Sequence, residues 1–230
     1  MKTLKKSWFL LAEQRGIRTL KRARYEIIES NHPCKPYLDL EEMLDNKPPK
    51  KYINKYIKQL KKDIKIVFKK EYKIKLKNNN IKILSSSASK QNKYKLSLHV
   101  VINTKNPQYL FITNNKFLEN SAIDFPLRLI KYNPNYDKII DLGVYTKDRE
   151  MRIINSYKSP HDLRKLVPIN FKDNTLDYII TNIKKKHEFI IPPNQIYEIN
   201  TKKTSTKKYV SEKICQSEEN KDIINIVKKI

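Results

Sequence analysis

IIDLGVYTKDREMRIINSYK, residues 139–158, is the stretch around which the chain is organised. It enters through apolar Ile139 and Ile140 and reaches an acid, Asp141, after only Ile139-Ile140. One of two glycines in 230 residues, Gly143, follows almost at once. Lys147, Arg149, Arg152 and Lys158 come next, spaced so that several can line one side of a bent strand pair. The pair expected is 138–145 with 150–156, turning near Lys147 and Asp148. In its second strand Arg152 and Ile154 share one face, Met151 and Ile153 the other. A carboxylate closing a buried strand beside a row of cations suits a divalent metal next to a polyphosphate.

Two further strands carry the rest of the polar pattern. Pro33 and Pro36 forbid a helix before residue 37. YLDLE, residues 37–41, then alternates, with Tyr37, Asp39 and Glu41 on one face and Leu38 and Leu40 on the other. Two carboxylates on one strand face ordinarily sit in water; in a cleft they need a cation. Residues 94–102 alternate as well, placing Lys95, Ser97 and His99 on one face. A point charge, a hydroxyl and an imidazole can together hold a phosphate. A lone strand histidine is otherwise a structural one.

The remaining elements read as an α+β domain. Residues 50–72 are the clearest helix, with Ile53, Tyr56, Ile57, Leu60, Ile64, Val67 and Phe68 at helical spacing and a nearly all-lysine opposite face, read as solvated. Helices are also expected at 117–132 and 175–185. Strands are expected at 25–29, 81–84 and after residue 186. Residues 85–92 are a polar loop and 160–165 a loop or short helix. The first 30 residues form a basic, partly helical entry. Residues 1–200 are the expected core. Residues 201–230 are a basic flexible linker ending in a short helix.

Charge points to a polyanionic partner: 49 Lys+Arg against 24 Asp+Glu give +25. A Lys-, Asn- and Ile-rich bias of the kind AT-rich genes produce accounts for part of this. Cys34 and Cys215, far apart, exclude a disulfide framework and a self-contained zinc site. The apolar run 8–12 is too short for a signal-peptide core, and no apolar stretch approaches ~20 residues, so the expectation is a soluble intracellular protein without membrane contact.

Together the motifs offer Asp39, Glu41 and Asp141 as three carboxylates able to hold two divalent ions, with cations beside them for a triphosphate. The order D-L-E, K-x-S-x-H, DLGVYTKDREMR resembles the archaeo-eukaryotic primase superfamily, in its primase-polymerase (PrimPol) type. Asp141, Gly143, Val144, Tyr145, Thr146, Arg149, Arg152 and Lys158 match that family's third motif, and the resemblance extends over residues 25–183.

The resemblance implies a catalytic core with an RRM-like antiparallel sheet and a smaller α/β module, the active site lying in the cleft between them. It implies a nucleotidyltransferase that joins NTPs or dNTPs to a 3′-hydroxyl on single-stranded DNA and also initiates primers. Asp39, Glu41 and Asp141 would hold Mg²⁺ or Mn²⁺. Lys95, Ser97, His99, Arg152 and Lys158 would bind the incoming nucleotide, and Arg149 would assist there or contact the template. Only 42 residues separate His99 from Asp141, so the intervening module is reduced. No zinc module is present, so a zinc-binding primase module or a helicase would act in trans. Minimal cores of this kind are commonly encoded by viruses and mobile elements. The alternatives are an inactive, basic single-stranded nucleic-acid-binding derivative and an unrelated metal-dependent nuclease.

Overall fold

Eight residues, Tyr37–Leu44, form the strand on which the rest is arranged (β3). In this computed structural model the described residues are 18–20, 23–90, 92–159, 162–169 and 174–197. The expected tail at 201–230 and most of the basic entry lie outside them. The described strands are β1 (Arg18–Leu20), β2 (Ala23–Ile28), β3, β4 (Ile81–Ser85), β5 (Ala88–Lys90), β6 (Lys93–Ile102), β7 (Gln108–Leu110), β8 (Arg149–Arg152), β9 (Tyr157–Ser159), β10 (Asp162–Lys165), β11 (Val167–Pro168) and β12 (His187–Phe189). The α-helices are α1 (Lys50–Glu71) and α2 (Asp124–Tyr132).

The largest sheet runs β11-β4-β6-β3, antiparallel throughout, with β5 also paired to β6. Its register puts Leu38 opposite Val100 and Leu40 opposite Leu98 on one face, and Asp39 opposite His99 and Glu41 opposite Ser97 on the other. α1 covers the first face: it buries Leu60, Ile64, Val67 and Phe68, which join Leu38, Leu40, Leu98 and Val100 in one apolar core. Phe68 meets Phe125 of α2 edge-to-face at 5.0 Å. Asp63, also buried in α1, is satisfied by Gln59, Asn133 and Tyr136. The fold is α+β, with antiparallel sheets and two α-helices among the described residues.

Several expectations are corrected. Residues 138–145 are not a strand: only one bridge, Leu40 to Ile140, forms, and Leu142–Val144 is a 3₁₀ turn. β8 therefore pairs with β2, Tyr25 opposite Arg152, instead of with 138–145. The 117–132 helix starts at Asp124, so that Pro126, whose missing N–H costs nothing in a first turn, lies at its entry. The 175–185 helix is one 3₁₀ turn, Thr175–Tyr178, followed by a further turn whose N–H groups at Ile180 and Thr181 go to buried Glu26. Residues 85–92 include β5, and 162–165 is a strand, β10. In 138–145 and 175–185 the apolar pattern is too short to distinguish helix, strand and turn.

Candidate functional site

The face of β3 and β6 away from α1 carries the acids. Asp39 lies opposite His99, Glu41 opposite Ser97 and Met43 opposite Lys95. Lys95 reaches diagonally to Glu41, Nζ to Oε2 2.6 Å. Chain 139–141 runs beside the free edge of β3: Glu41 N–H donates to Ile139 O at 2.7 Å and Asp141 N–H to Asp39 O at 2.9 Å. Asp141 is thereby brought next to Asp39 without a full strand.

Buried packing fixes this approach. Tyr37 and Tyr145 stack with centroids 4.9 Å apart, and Tyr145 donates its hydroxyl to Tyr37 O. Tyr37 donates in turn to Asn114 Oδ1 and Val144 O, while Asn114 donates to Val144 O and Thr146 O. Val144 and Tyr145 are thus core residues that clamp the 139–146 segment onto β3. Gly143 has a steric reason. Its N–H donates to Asp141 Oδ1 at 2.8 Å, and a Cβ there would lie 2.9 Å from that same oxygen.

The electrostatics converge on Asp39. Burial, then the Glu41 and Asp141 carboxylates, push its pKa up to about 7, against the pull of Arg152 and Arg149. Its Oδ1 is buried with no hydrogen-bond partner, and so is Arg149 Nε. His99 Nε2 stands 3.6 Å from Asp39 Oδ1, too long for a hydrogen bond. Burial, with Arg152 nearby, lowers the His99 pKa to about 3, so its imidazole is neutral. Glu41 behaves oppositely: burial raises its pKa, but Lys95, by hydrogen bond and charge, and Lys158 outweigh it and hold it low.

Ser97 is buried and belongs to a directed relay. Arg152 Nη2 donates to Ser86 Oγ at 2.6 Å, and Ser86 Oγ donates to Ser97 Oγ at 3.1 Å. Arg152 Nη1 donates to the carbonyl of Arg164 at 3.1 Å. Burial, and then the Arg164 guanidinium, lower the Arg152 pKa. Lys158 is exposed and its carbonyl accepts the Tyr25 hydroxyl. Sequence reasoning missed Ser86 and Arg164. The serine run 85–87 was a weak signal for the first; for the second there was none, because Arg164 comes near Glu41 only through the β9-β10 hairpin.

The nine candidate residues therefore share one neighbourhood, but not one preformed cage. Among the described residues no group of three or more His, Cys, Asp or Glu side chains is gathered to hold a metal. Glu41 is turned to Lys95 and Asp141 to the Gly143 N–H. The donor set nevertheless fits a hard divalent cation: three carboxylates, and a buried Asp39 oxygen lacking any donor.

No protein-family model matches the chain. Over 168 residues it is 36% identical to "Uncharacterized putative helicase R8" of Acanthamoeba polyphaga mimivirus, a match covering 68% of this chain and 16% of that protein. The chain thus spans about one sixth of the length of this relative. No helix among the described residues is long and apolar enough to cross a membrane.

Proposed function

We propose that this chain is the catalytic core of a template-dependent primase-polymerase, joining NTPs or dNTPs to a 3′-hydroxyl on single-stranded DNA. The observation that carries the reading is the Asp39 carboxylate: buried, without a donor at Oδ1, beside two more carboxylates and faced by two guanidiniums. Burying such a group is costly unless a ligand completes it.

Asp39, Glu41 and Asp141 would hold Mg²⁺ or Mn²⁺. When bound, two such ions lower the pKa of the attacking hydroxyl and stabilise the leaving pyrophosphate. The chain's own groups do the rest. Arg149, Arg152, Lys95 and Lys158 supply positive charge for the triphosphate oxygens. Ser97 already accepts from Ser86, so its own O–H is left to donate to a phosphate oxygen. Neutral His99 donates one ring N–H and adds no charge. Ser86 keeps Arg152 in place without competing for its charge, because a hydroxyl is a neutral acceptor.

The primase core, with its RRM-like sheet and cleft, belongs to the same proposal and is supported by the helix-backed antiparallel sheet with acids on the face away from the helix. The mimivirus relative is named for a helicase. A helicase motor needs the phosphate-binding G-x-x-x-x-G-K-[ST] loop, and these 230 residues, with glycines only at Gly16 and Gly143, contain none. What the two proteins share is therefore a different module, one that serves a helicase either within one polypeptide or in trans. The relative's viral source agrees with a virus- or mobile-element-encoded core.

Incubating purified protein with a single-stranded template, with and without primer, NTPs or dNTPs and Mn²⁺ tests this. Extension that Asp39→Ala and Asp141→Ala each abolish supports it. Salt-sensitive binding without synthesis would make the chain an inactive binding protein, and shortening of the strand would make it a nuclease.

A further inference from the structure

We infer that the outer face of α1 is a second nucleic-acid surface, which grips the phosphate backbone of duplex DNA on the side of the sheet away from the acids. Lys51, Lys55, Lys58, Lys62, Lys65 and Lys69 recur at alternating steps of four and three, so they form a single row along the helix. From Lys51 to Lys69 the row is about 27 Å long at ~1.5 Å per residue. That is the span of about eight base pairs at ~3.4 Å each. All six are exposed except half-buried Lys65, which donates to Asn78 Oδ1.

The row faces away from the catalytic neighbourhood. α1 turns Leu60, Ile64 and Val67 toward the sheet, on the helix side opposite the lysines. Ile57 and Ile83 line one small cavity, and the Tyr56 hydroxyl lies near Glu42. Ile83 and Glu42 belong to the sheet face of Leu38 and Leu40, whereas Asp39 and Glu41 are on the other.

A merely solvated helix face interleaves acids with lysines, because like charges at i,i+3 and i,i+4 repel. Here the two acids of α1 are spent elsewhere: Asp63 is buried, and Glu71 is paired with Arg128. Five successive like-charge steps are left without a countercharge on the row, which a polyanion laid along it would supply. Two features select duplex over single strand and membrane. Tyr52 is the only exposed large apolar side chain on α1, so the row lacks the aromatic platforms that single strands stack upon. The helix's apolar side is buried in the core, so none is left to enter a lipid surface. Lysines, as point charges, predict binding that is independent of sequence.

The test is duplex binding by the full chain across a salt series, followed by fluorescence anisotropy, and does not depend on catalysis. A quadruple variant, Lys55→Gln, Lys58→Gln, Lys62→Gln and Lys69→Gln, is compared with a control of equal charge change, Lys131→Gln, Lys138→Gln, Lys185→Gln and Lys186→Gln. The row variant is expected to flatten the slope of log affinity against log salt by about 3 to 4, at ~0.9 per phosphate contact, while the control flattens it by less than about 1. Circular dichroism should show the helix retained, since the changes remove repulsion. Equal flattening in both variants, or no change in either, overturns the inference. So does a row variant that loses binding to phosphatidylserine vesicles but not to duplex. Failure here leaves the extension assay unaffected, and the converse also holds.

Discussion

Replacing Asp39 with Asn should stabilise the metal-free protein at alkaline pH. The Asp39 carboxyl is raised from its ordinary 3.8 to about 7 by burial and by Glu41 and Asp141. A folded-state pKa above the unfolded one means that the fold favours the protonated acid. The stability contributed by this group is therefore fully present below about pH 4 and is lost as pH rises toward 7. At ~1.4 kcal/mol per pH unit, the loss approaches about 4 kcal/mol as an upper limit. The side chain is only 13% exposed, so solvent screening removes little of it. Asp39→Asn keeps the shape and removes the charge. In differential scanning calorimetry its Tm should exceed wild type at pH 8 by at most about 8–16 °C, at ~2–4 °C per kcal/mol for a domain of this size, and match wild type near pH 4. Millimolar Mn²⁺ should raise the wild-type Tm at pH 8 and leave Asp39→Asn unmoved. An Asp39→Asn protein less stable than wild type at pH 8 without metal would refute the reasoning, because the carboxylate would then be a net stabiliser.

Gly143→Ala should push Asp141 off the Gly143 N–H, since the new methyl would sit 2.9 Å from its Oδ1; primer extension should fall at least tenfold while Tm drops by no more than about 1–2 kcal/mol equivalent, a typical single-site cost. Ser86→Ala removes the hydroxyl between Arg152 and Ser97 and should raise the KM for nucleotide roughly tenfold, about 1.4 kcal/mol, with kcat changed less. The His99 ring, held neutral by burial with a pKa near 3, should show no imidazole titration between pH 5 and 8 by NMR. Because this pKa is depressed, the neutral ring's contribution is intact above about pH 6.5 and is lost as pH falls. Phe68→Ala should cost about 3–5 kcal/mol in urea unfolding, since the ring is fully buried between α1 and α2.

What the sequence revealed of the fold depended on the length of each pattern. The helical spacing over 50–72 and the alternation within 94–102 leave no competing reading, and both elements form, as α1 and β6. Residues 138–145 and 175–185 are different. Each has apolar residues enough for a regular element, but its backbone groups are satisfied elsewhere: one by the edge of β3, the other by the buried Glu26 carboxylate. Those partners lie about 100 and 150 residues away along the chain. Local pattern carries no trace of them, so it suggests a strand at 138–145 and a helix at 175–185 where the chain makes turns.

The proximity of the β3 and β6 candidates does not depend on 138–145 being a strand, for a physical reason. Alternation fixes which side chains share a face, and the β3–β6 register then brings Asp39, Glu41, Ser97 and His99 together whatever the third segment does. Asp141 needs only two backbone hydrogen bonds to β3 to join them, and a bridge provides these as well as a strand would. The tight turn that follows is an advantage over a strand. A strand would carry Asp141's neighbours onward along β3. The 3₁₀ turn instead swings the chain away after Val144 and Tyr145 lock under Tyr37, and the chain returns as β8 on a different sheet. Arg149 and Arg152 consequently approach Asp39 from β8 rather than from its own sheet. A carboxylate held by one sheet thus faces guanidiniums held by another, and Asp39 Oδ1 and Arg149 Nε are buried without hydrogen-bond partners.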